Sequence, residues 1–386
     1  MEKRALQLTS VASMIDQFTI PNIRILQSMG FKVDVVADFK NPGNISADRS
    51  EDLKRRLNDM GVDVYDIAIP RSINPGAINS AYKEVKALID SKDYSILHCH
   101  SPIGGVIARK AAKHKRKNGL KVIYTAHGFH FFDGAPLKNW LVFYPVEKHY
   151  SRYTDVLITI NNEDYNRAKS KLHAGKTFRI PGVGVDNSKF AESSVSKDAK
   201  RAELGLAPED FVIISVGELN VNKNHQVVIR AIKDIPQAKY VIVGIGKLKD
   251  ELISLSKELG VSDRVSLLGY RTDINELLHM ADCFAFPSLR EGLGLAAIEA
   301  LSAGLPVIAS NVGGISDYTS SDTGVLCSGH SVEEYSQAIK KIVDSDREAY
   351  SIRCRKKAAE FDISVVDKIM TDIYSEVSGI QTGDRS

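Results

Sequence analysis

Thirteen short apolar runs, separated by amphipathic segments of helical period, constrain this chain more than any other feature. Seven lie in the first half: Ala5–Thr9, Lys32–Ala37, Val62–Ile67, Ser95–Cys99, Lys121–Thr125, Val156–Ile160 and Thr177–Ile180. Six lie in the second: Phe211–Val216, Tyr240–Val243, Val265–Leu268, Cys283–Phe286, Pro306–Ala309 and Gly324–Leu326. The segments between them predict helices near 17–29, 49–60, 76–91, 103–118, 137–151 and 162–172, then 224–233, 247–259, 272–281, 294–303, 332–344 and 346–360. Strands alternating with helices imply βαβ units and a parallel sheet. At 386 residues the chain exceeds one ordinary core. A polar stretch, Asn187 to Asp198, reads as a linker between two α/β domains, 1–186 and 187–363. A last helix near 364–377 belongs to a piece, 364–386, expected to return to the first domain and end in a polar tail. Two doubly wound domains facing each other would place a ligand cleft at the carboxyl ends of both sheets.

Composition narrows the function classes. Lys and Arg total 51 against 48 Asp and Glu, so nothing in the overall charge points to nucleic acid. Cys99, Cys283, Cys327 and Cys354 are far apart and have no metal-ligand spacing, which suits buried thiols in a reducing cytoplasm. The opening residues are too diluted by Gln7, Thr9, Ser10 and Ser13 to form a signal peptide, and read as a first strand. No run approaches the roughly 18 apolar residues of a membrane span.

The chemistry concentrates in Pro287-Ser288-Leu289-Arg290-Glu291-Gly292-Leu293-Gly294-Leu295, between a strand and a helix carrying Glu299 in its second turn. Gly292 and Gly294 allow a tight turn and close approach of backbone to a ligand. A helix start offers free N–H groups and a positive dipole end to an anion. Glu291 and Glu299 only accept hydrogen bonds when ionised, which suits hydroxyl groups. Phosphate with many hydroxyls suggests a nucleotide sugar, while a plain strand-to-helix turn with solvated glutamates stays open. A second loop, Gly217-Glu218-Leu219-Asn220-Val221-Asn222-Lys223, also follows a strand, and Lys223 could reach a phosphate there. Gly244-Ile245-Gly246 is an incomplete dinucleotide fingerprint and fits a simple tight turn equally well. His127, in Thr125-Ala126-His127-Gly128, stands at a strand's carboxyl end, where a cleft group belongs. His98 and His100 are expected on opposite faces of their strand, unable to share a metal.

Together these pieces resemble the retaining glycosyltransferases of family 4, with the GT-B fold of two Rossmann-like domains facing each other across a cleft. Val183-Gly184-Val185-Asp186 with Phe190, Leu97-His98-Cys99-His100-Ser101-Pro102, and Gly304 to Ser310 with Gly313-Gly314 are similar to further family segments. The resemblance implies a UDP-sugar donor and a lipid-linked or oligosaccharide acceptor, in capsule or exopolysaccharide synthesis. Glu291 is then expected at the donor sugar, Glu299 at the ribose, and Lys223 with the amides of Gly294 and Leu295 at the diphosphate. Gly217 and Gly292 border that site, and backbone groups around Tyr270 and Arg271 meet the base. Thr272 or Asp273 could instead simply cap the following helix. His127 reaches the donor sugar from the first domain, so His127, Lys223 and Glu291 form the catalytic set. Two departures stand out. Glu218 occupies the position of a phosphate-binding Arg, leaving Arg290 or Arg271 to supply that charge or Lys223 to work with backbone amides alone, and Ser10 to Met14 lacks the family's double glycine.

Protein cations are expected to replace any metal, so no cofactor is foreseen. Arg109, Lys110, Lys113, His114, Lys115, Arg116 and Lys117, near Phe129, Phe131, Phe132, Trp140, Phe143 and Tyr144, could form a basic and aromatic face for an anionic membrane. A solvated basic helix with its aromatics packed inside is the alternative. The expected location is cytoplasmic, peripheral on the inner membrane face. A UDP-sugar epimerase on the same architecture, or a degenerate nucleotide-sugar-binding protein, remains open on these residues.

Overall fold

The computed structural model describes residues 2–380. All thirteen expected strands are present, with ends shifted by two residues at most: β1 (Arg4–Val11), β2 (Lys32–Asp38), β3 (Asp63–Asp66), β4 (Tyr94–His100), β5 (Lys121–Ala126), β6 (Val156–Thr159), β7 (Lys176–Arg179), β8 (Phe211–Val216), β9 (Ala238–Val243), β10 (Val265–Gly269), β11 (Cys283–Phe286), β12 (Val307–Ser310) and β13 (Gly324–Cys327). They form a seven-stranded sheet ordered β3-β2-β1-β4-β5-β6-β7 and a six-stranded sheet ordered β10-β9-β8-β11-β12-β13. Every pairing within them is parallel. Helices cover both faces of such sheets, so the central strands are apolar runs rather than alternations. Thus Ile213, Ile214, Phe284 and Ala285 are all buried.

Strand order reverses direction between β1 and β4 in the first sheet, and between β8 and β11 in the second. A crevice opens at such a switch point, beyond the carboxyl ends of the two strands. In the second sheet the segments after β8 and β11 are the two loops singled out above.

The chain forms two compact units. One runs to Val183 and resumes at Ser364; the other is Gly184–Ile363. The boundary expected after residue 186 falls three residues earlier. The reason is Val185, whose N–H donates to the Phe361 carbonyl at 3.0 Å and whose carbonyl accepts from Ile363 at 2.9 Å. The helix Ile363–Ser378 then packs in the first unit, where Tyr374 is buried. All four cysteines are buried free thiols. Among the described residues, no helix is long and apolar enough to cross a membrane.

The segment Ser10 to Met14 is not a loop. Strand β1 continues to Val11, and a helical turn, Ala12–Met14, follows directly. Ala12 and Ser13 are buried there, so no glycine turn is needed.

Candidate functional site

In the second unit the loops after β8 and β11 are stitched together through Asn222. Its carbonyl accepts from the Leu289 N–H at 2.8 Å, and its side-chain amide donates to the Arg290 carbonyl at 3.0 Å. The Lys223 N–H donates to the Asn220 side chain at 2.9 Å, a local turn of the kind Asn favours. Asn224 takes a left-handed conformation, φ 50°, and anchors its side chain on the Gly329 carbonyl at 2.6 Å. These bonds aim Lys223 at the neighbouring loop. Its ammonium forms an ion pair with Glu291 and lies 4.7 Å above the Phe286 ring. Both partners are mostly buried, at 22% and 15% exposure. Sequence reasoning missed Asn222 and Phe286. The signal for Asn222 was present in the alternation Asn220, Asn222, Asn224; Phe286 looked like any core strand residue.

Gly294 starts the helix Leu295–Ser302 with φ 86°. A Cβ there would stand 2.3 Å from the Phe286 ring, so the turn excludes any side chain on two independent grounds. The Tyr318 hydroxyl donates to the Leu293 carbonyl at 2.9 Å and braces the turn from below. Leu295 and Ala296 are the first helical residues, and their N–H groups have no carbonyl one turn back to serve. Glu299 lies on the same helix. Its carboxyl has no hydrogen-bond partner among the described residues, and burial pushes its pKa up.

Other expected donor-side residues divide. Gly217 leaves room for the Lys223 stem, since a Cβ would lie 3.2 Å from that lysine's Cε. Tyr270 is exposed and Gly292 half-buried. Arg290 is half-buried beside Glu291. The Arg271 guanidinium is held by Asp273 and Glu203 at 2.8 Å each. Asp273, pushed below the usual carboxylate range by Arg271 and also bonded to Lys200, makes no side-chain cap on its helix. Gly244 serves backbone packing. A Cβ there would fall 1.9 Å from the Gly217 carbonyl oxygen, and its N–H donates to Gly269 at 2.8 Å. Glu218 is exposed.

In the first unit, His98 and His100 share a face, contrary to expectation. Residues two apart on a strand point the same way, and the two rings are 4.3 Å apart between centroids. His100 Nδ1 is 3.1 Å from His127 Nε2, and His100 Nε2 is 3.4 Å from the Gln7 side-chain oxygen. His98 contacts the Tyr374 hydroxyl at 2.7 Å and the Thr125 hydroxyl at 2.8 Å. Burial lowers the pKa of His98 to about 3 and of His127 to about 4, and holds His100 well below the ordinary histidine range. At neutral pH all three rings are uncharged. Beside them Ser101, strained at φ 62°, closes the β1/β4 switch point and bonds the Ser10 hydroxyl at 2.7 Å.

The expected basic face is dismantled in part. Arg109 is 1% exposed; it makes two bonds to Glu147, at 2.9 and 3.2 Å, and stacks 4.1 Å from the Tyr124 ring. Arg116 is bonded to Asp155 at 2.8 Å, and His114 to Asp90 at 2.7 Å. Phe129 and Phe131 are buried, and Trp140, Phe143 and Tyr144 pack against that core. The helix Leu137–Ser151 exposes four aliphatic side chains, Leu137, Leu141, Val142 and Val146, together with Lys138 and His149. Inward of Val142 and Val146 lies an apolar cavity of about 290 Å³, which Gly128, Phe129 and His130 line directly after His127.

The C-terminal half, residues 196–361, matches the family Glycosyl transferases group 1, and residues 10–161 match the family Glycosyl transferase 4-like. EpsD of Bacillus subtilis (strain 168), named as a glycosyltransferase, is 34% identical over 395 residues that cover 100% of both chains. The UDP-Gal:alpha-D-GlcNAc-diphosphoundecaprenol alpha-1,3-galactosyltransferase of Escherichia coli is 34% identical over 318 residues, 77% of this chain and 81% of that one. Two solved structures share the fold at 19% identity. Anabaena HepE in complex with UDP and glucose superposes with a TM-score of 0.75, over 97% of this chain and 100% of that one. Sucrose-phosphate synthase from Thermosynechococcus elongatus gives 0.77, over 98% and 100%.

Proposed function

The chain belongs to the glycosyltransferases, group 1 in its C-terminal half and 4-like in its N-terminal half, with the GT-B fold, and from that premise we propose that it moves a sugar from a UDP-sugar to a lipid-linked saccharide with retention of configuration. The observation that carries this reading is the meeting of Lys223 and Glu291 at the β8/β11 switch point, beside the Gly294 turn and the helix start. One cation, a set of free amides and two carboxylates are what a sugar diphosphate requires.

In this reading the bond between the sugar's anomeric carbon and the β-phosphate breaks, and its electron pair leaves with the diphosphate. Lys223 and the amides of Leu295 and Ala296 stabilise that growing charge, with Arg290 as the second cation. The acceptor hydroxyl bonds the anomeric carbon and gives its proton to an oxygen of the departing diphosphate. Glu291 accepts hydrogen bonds from donor-sugar hydroxyls. The half-buried Glu299, whose carboxyl has no hydrogen-bond partner among the described residues, suits the ribose hydroxyls, which would satisfy it. The family resemblance gives His127 a role at the donor sugar. Countercharge comes from the protein, so EDTA is expected to leave turnover unchanged.

Two observations support the lipid-linked acceptor and a role in cell-surface polysaccharide synthesis on the inner membrane face. One is the name of the Escherichia coli relative, a diphosphoundecaprenol-dependent enzyme. The other is the apolar cavity lined by the residues that follow His127, with the exposed Val142 and Val146 at its wall. Contiguous exposed apolar surface of this kind marks an interaction site. The test is a screen of UDP-sugars with a diphosphoprenol-linked acceptor, followed by NMR of the product's anomeric centre. An inverted centre removes retention. An altered sugar on UDP without acceptor replaces transfer with epimerisation. Flotation with anionic liposomes, compared between the native chain and Leu141→Ser/Val142→Ser, tests the membrane face; equal flotation of the two rejects it.

A further inference from the structure

We infer that Tyr374 and Gln7, acting through His100, hold His127 in the tautomer that carries its proton on Nε2 and leaves Nδ1 bare. The argument follows donors and acceptors along one buried chain. The Gln7 amide nitrogen donates to the Tyr374 hydroxyl at 3.1 Å. Having accepted there, Tyr374 gives its own proton to His98 Nδ1 at 2.7 Å. His98 then carries its proton on Nε2, which donates to Thr125 at 2.8 Å. In the other direction, the Gln7 carbonyl oxygen can only accept. It therefore takes the Nε2 proton of His100, at 3.4 Å. A neutral imidazole has one proton, so His100 Nδ1 is bare. It accepts from His127 Nε2 at 3.1 Å. His127 Nδ1 is left without a proton, and it has no partner among the described residues.

A single amide sets every bond in this chain, because turning it over would reverse each one. Tyr374 lies in the helix that leaves the second unit and packs in the first, so this helix contributes a positioning residue, not packing alone. Gln7 lies in β1 and His100 at the end of β4, the two strands of the switch point. The catalytic consequence rests on the role of His127 proposed above. A sugar losing its diphosphate gains positive charge at the ring. A bare nitrogen beside it stabilises that charge, whereas an N–H dipole opposes it.

The full-length chain labelled with ¹⁵N-histidine tests this by long-range ¹H–¹⁵N correlation. The expected spectrum has His127 protonated on Nε2 and bare on Nδ1. Tyr374→Phe keeps the ring but removes the hydroxyl, and should give His127 in a mixture of tautomers. Its kcat should fall roughly tenfold with UDP affinity unchanged. Gln7→Glu still accepts from His100 and should keep the single tautomer, while Gln7→Leu should lose it. An Nδ1–H on the native His127, or a single Nε2–H form persisting in Tyr374→Phe, overturns the inference. If the tautomer behaves as stated but His127→Ala turns over normally, the proposed role of His127 falls and the positioning chain stands.

Discussion

Replacing Glu291 by Gln separates the sugar from the diphosphate. Glu291 has two effects on a bound UDP-sugar. It neutralises Lys223, the cation assigned to the diphosphate, and it places a negative charge near that anion. Two unit charges 4 Å apart interact by about 4 kcal/mol at an effective dielectric near 20. The pair is 22% and 15% exposed, so screening reduces this, and about 1 kcal/mol of net relief is expected on removing the carboxylate's charge. UDP should therefore bind Glu291→Gln as well as the native chain or up to about fivefold tighter. Turnover should fall by roughly 10²–10³, the scale on which a single group aimed at transition-state charge acts. Lys223→Ala should do the opposite to binding. Loss of a charged hydrogen bond worth about 1.5–3 kcal/mol weakens UDP roughly ten- to a hundredfold. Calorimetric titration of UDP at physiological salt, beside steady-state donor consumption, measures all three quantities. If Glu291→Gln weakens UDP tenfold, the carboxylate holds the nucleotide and the division of labour proposed here is wrong. If Lys223→Ala leaves UDP binding untouched, the diphosphate lies elsewhere.

Further outcomes follow from the same geometry. Gly294→Ala forces an L-residue to φ 86° and a Cβ against Phe286; it should lose about 1–3 kcal/mol of stability in urea titration and weaken UDP in parallel. Arg109→Met leaves Glu147 charged and buried and should cost about 3–5 kcal/mol, whereas Arg109→Met/Glu147→Leu should recover most of it in a calorimetric scan. The first unit should lose stability as pH falls. His98, His100 and His127 have folded pKa values depressed by burial, to about 3 for His98 and about 4 for His127, below about 6.5 in the unfolded chain. Between those values the unfolded chain binds more protons, so the stability present above pH 6.5 drains away toward pH 4. The loss approaches about 1.4 kcal/mol per pH unit for each ring. Urea midpoints at pH 7, 6 and 5 check this, and a flat profile would contradict the burial argument.

The strands could be read in advance because burial on both faces writes an apolar run directly into the sequence, as at Phe211 to Val216. The glycine turn at 292–294 could be read because backbone geometry admits few alternatives there. Charged side chains were far less legible. Arg109 sits in a run of cations and looks solvated, yet a glutamate 38 positions on draws it into the core. Arg271 looked solvated until Glu203 and Asp273 were seen to hold it. A charge takes its role from its partner, and partners far along the chain leave no local pattern.

By itself the sequence determined two parallel α/β units, the loops that follow β8 and β11, and the residue types those loops carry. Periodicity and turn chemistry act over a few residues, so they survive without knowledge of the fold. Tertiary structure alone decided that Lys223 meets Glu291, and that Glu299 is half-buried with no hydrogen-bond partner for its carboxyl among the described residues. It alone decided that a tyrosine 247 positions beyond His127 helps set that histidine's proton (374 − 127). Those outcomes depend on which strands become neighbours. Strand order is a property of the whole sheet, and no stretch of the sequence contains it.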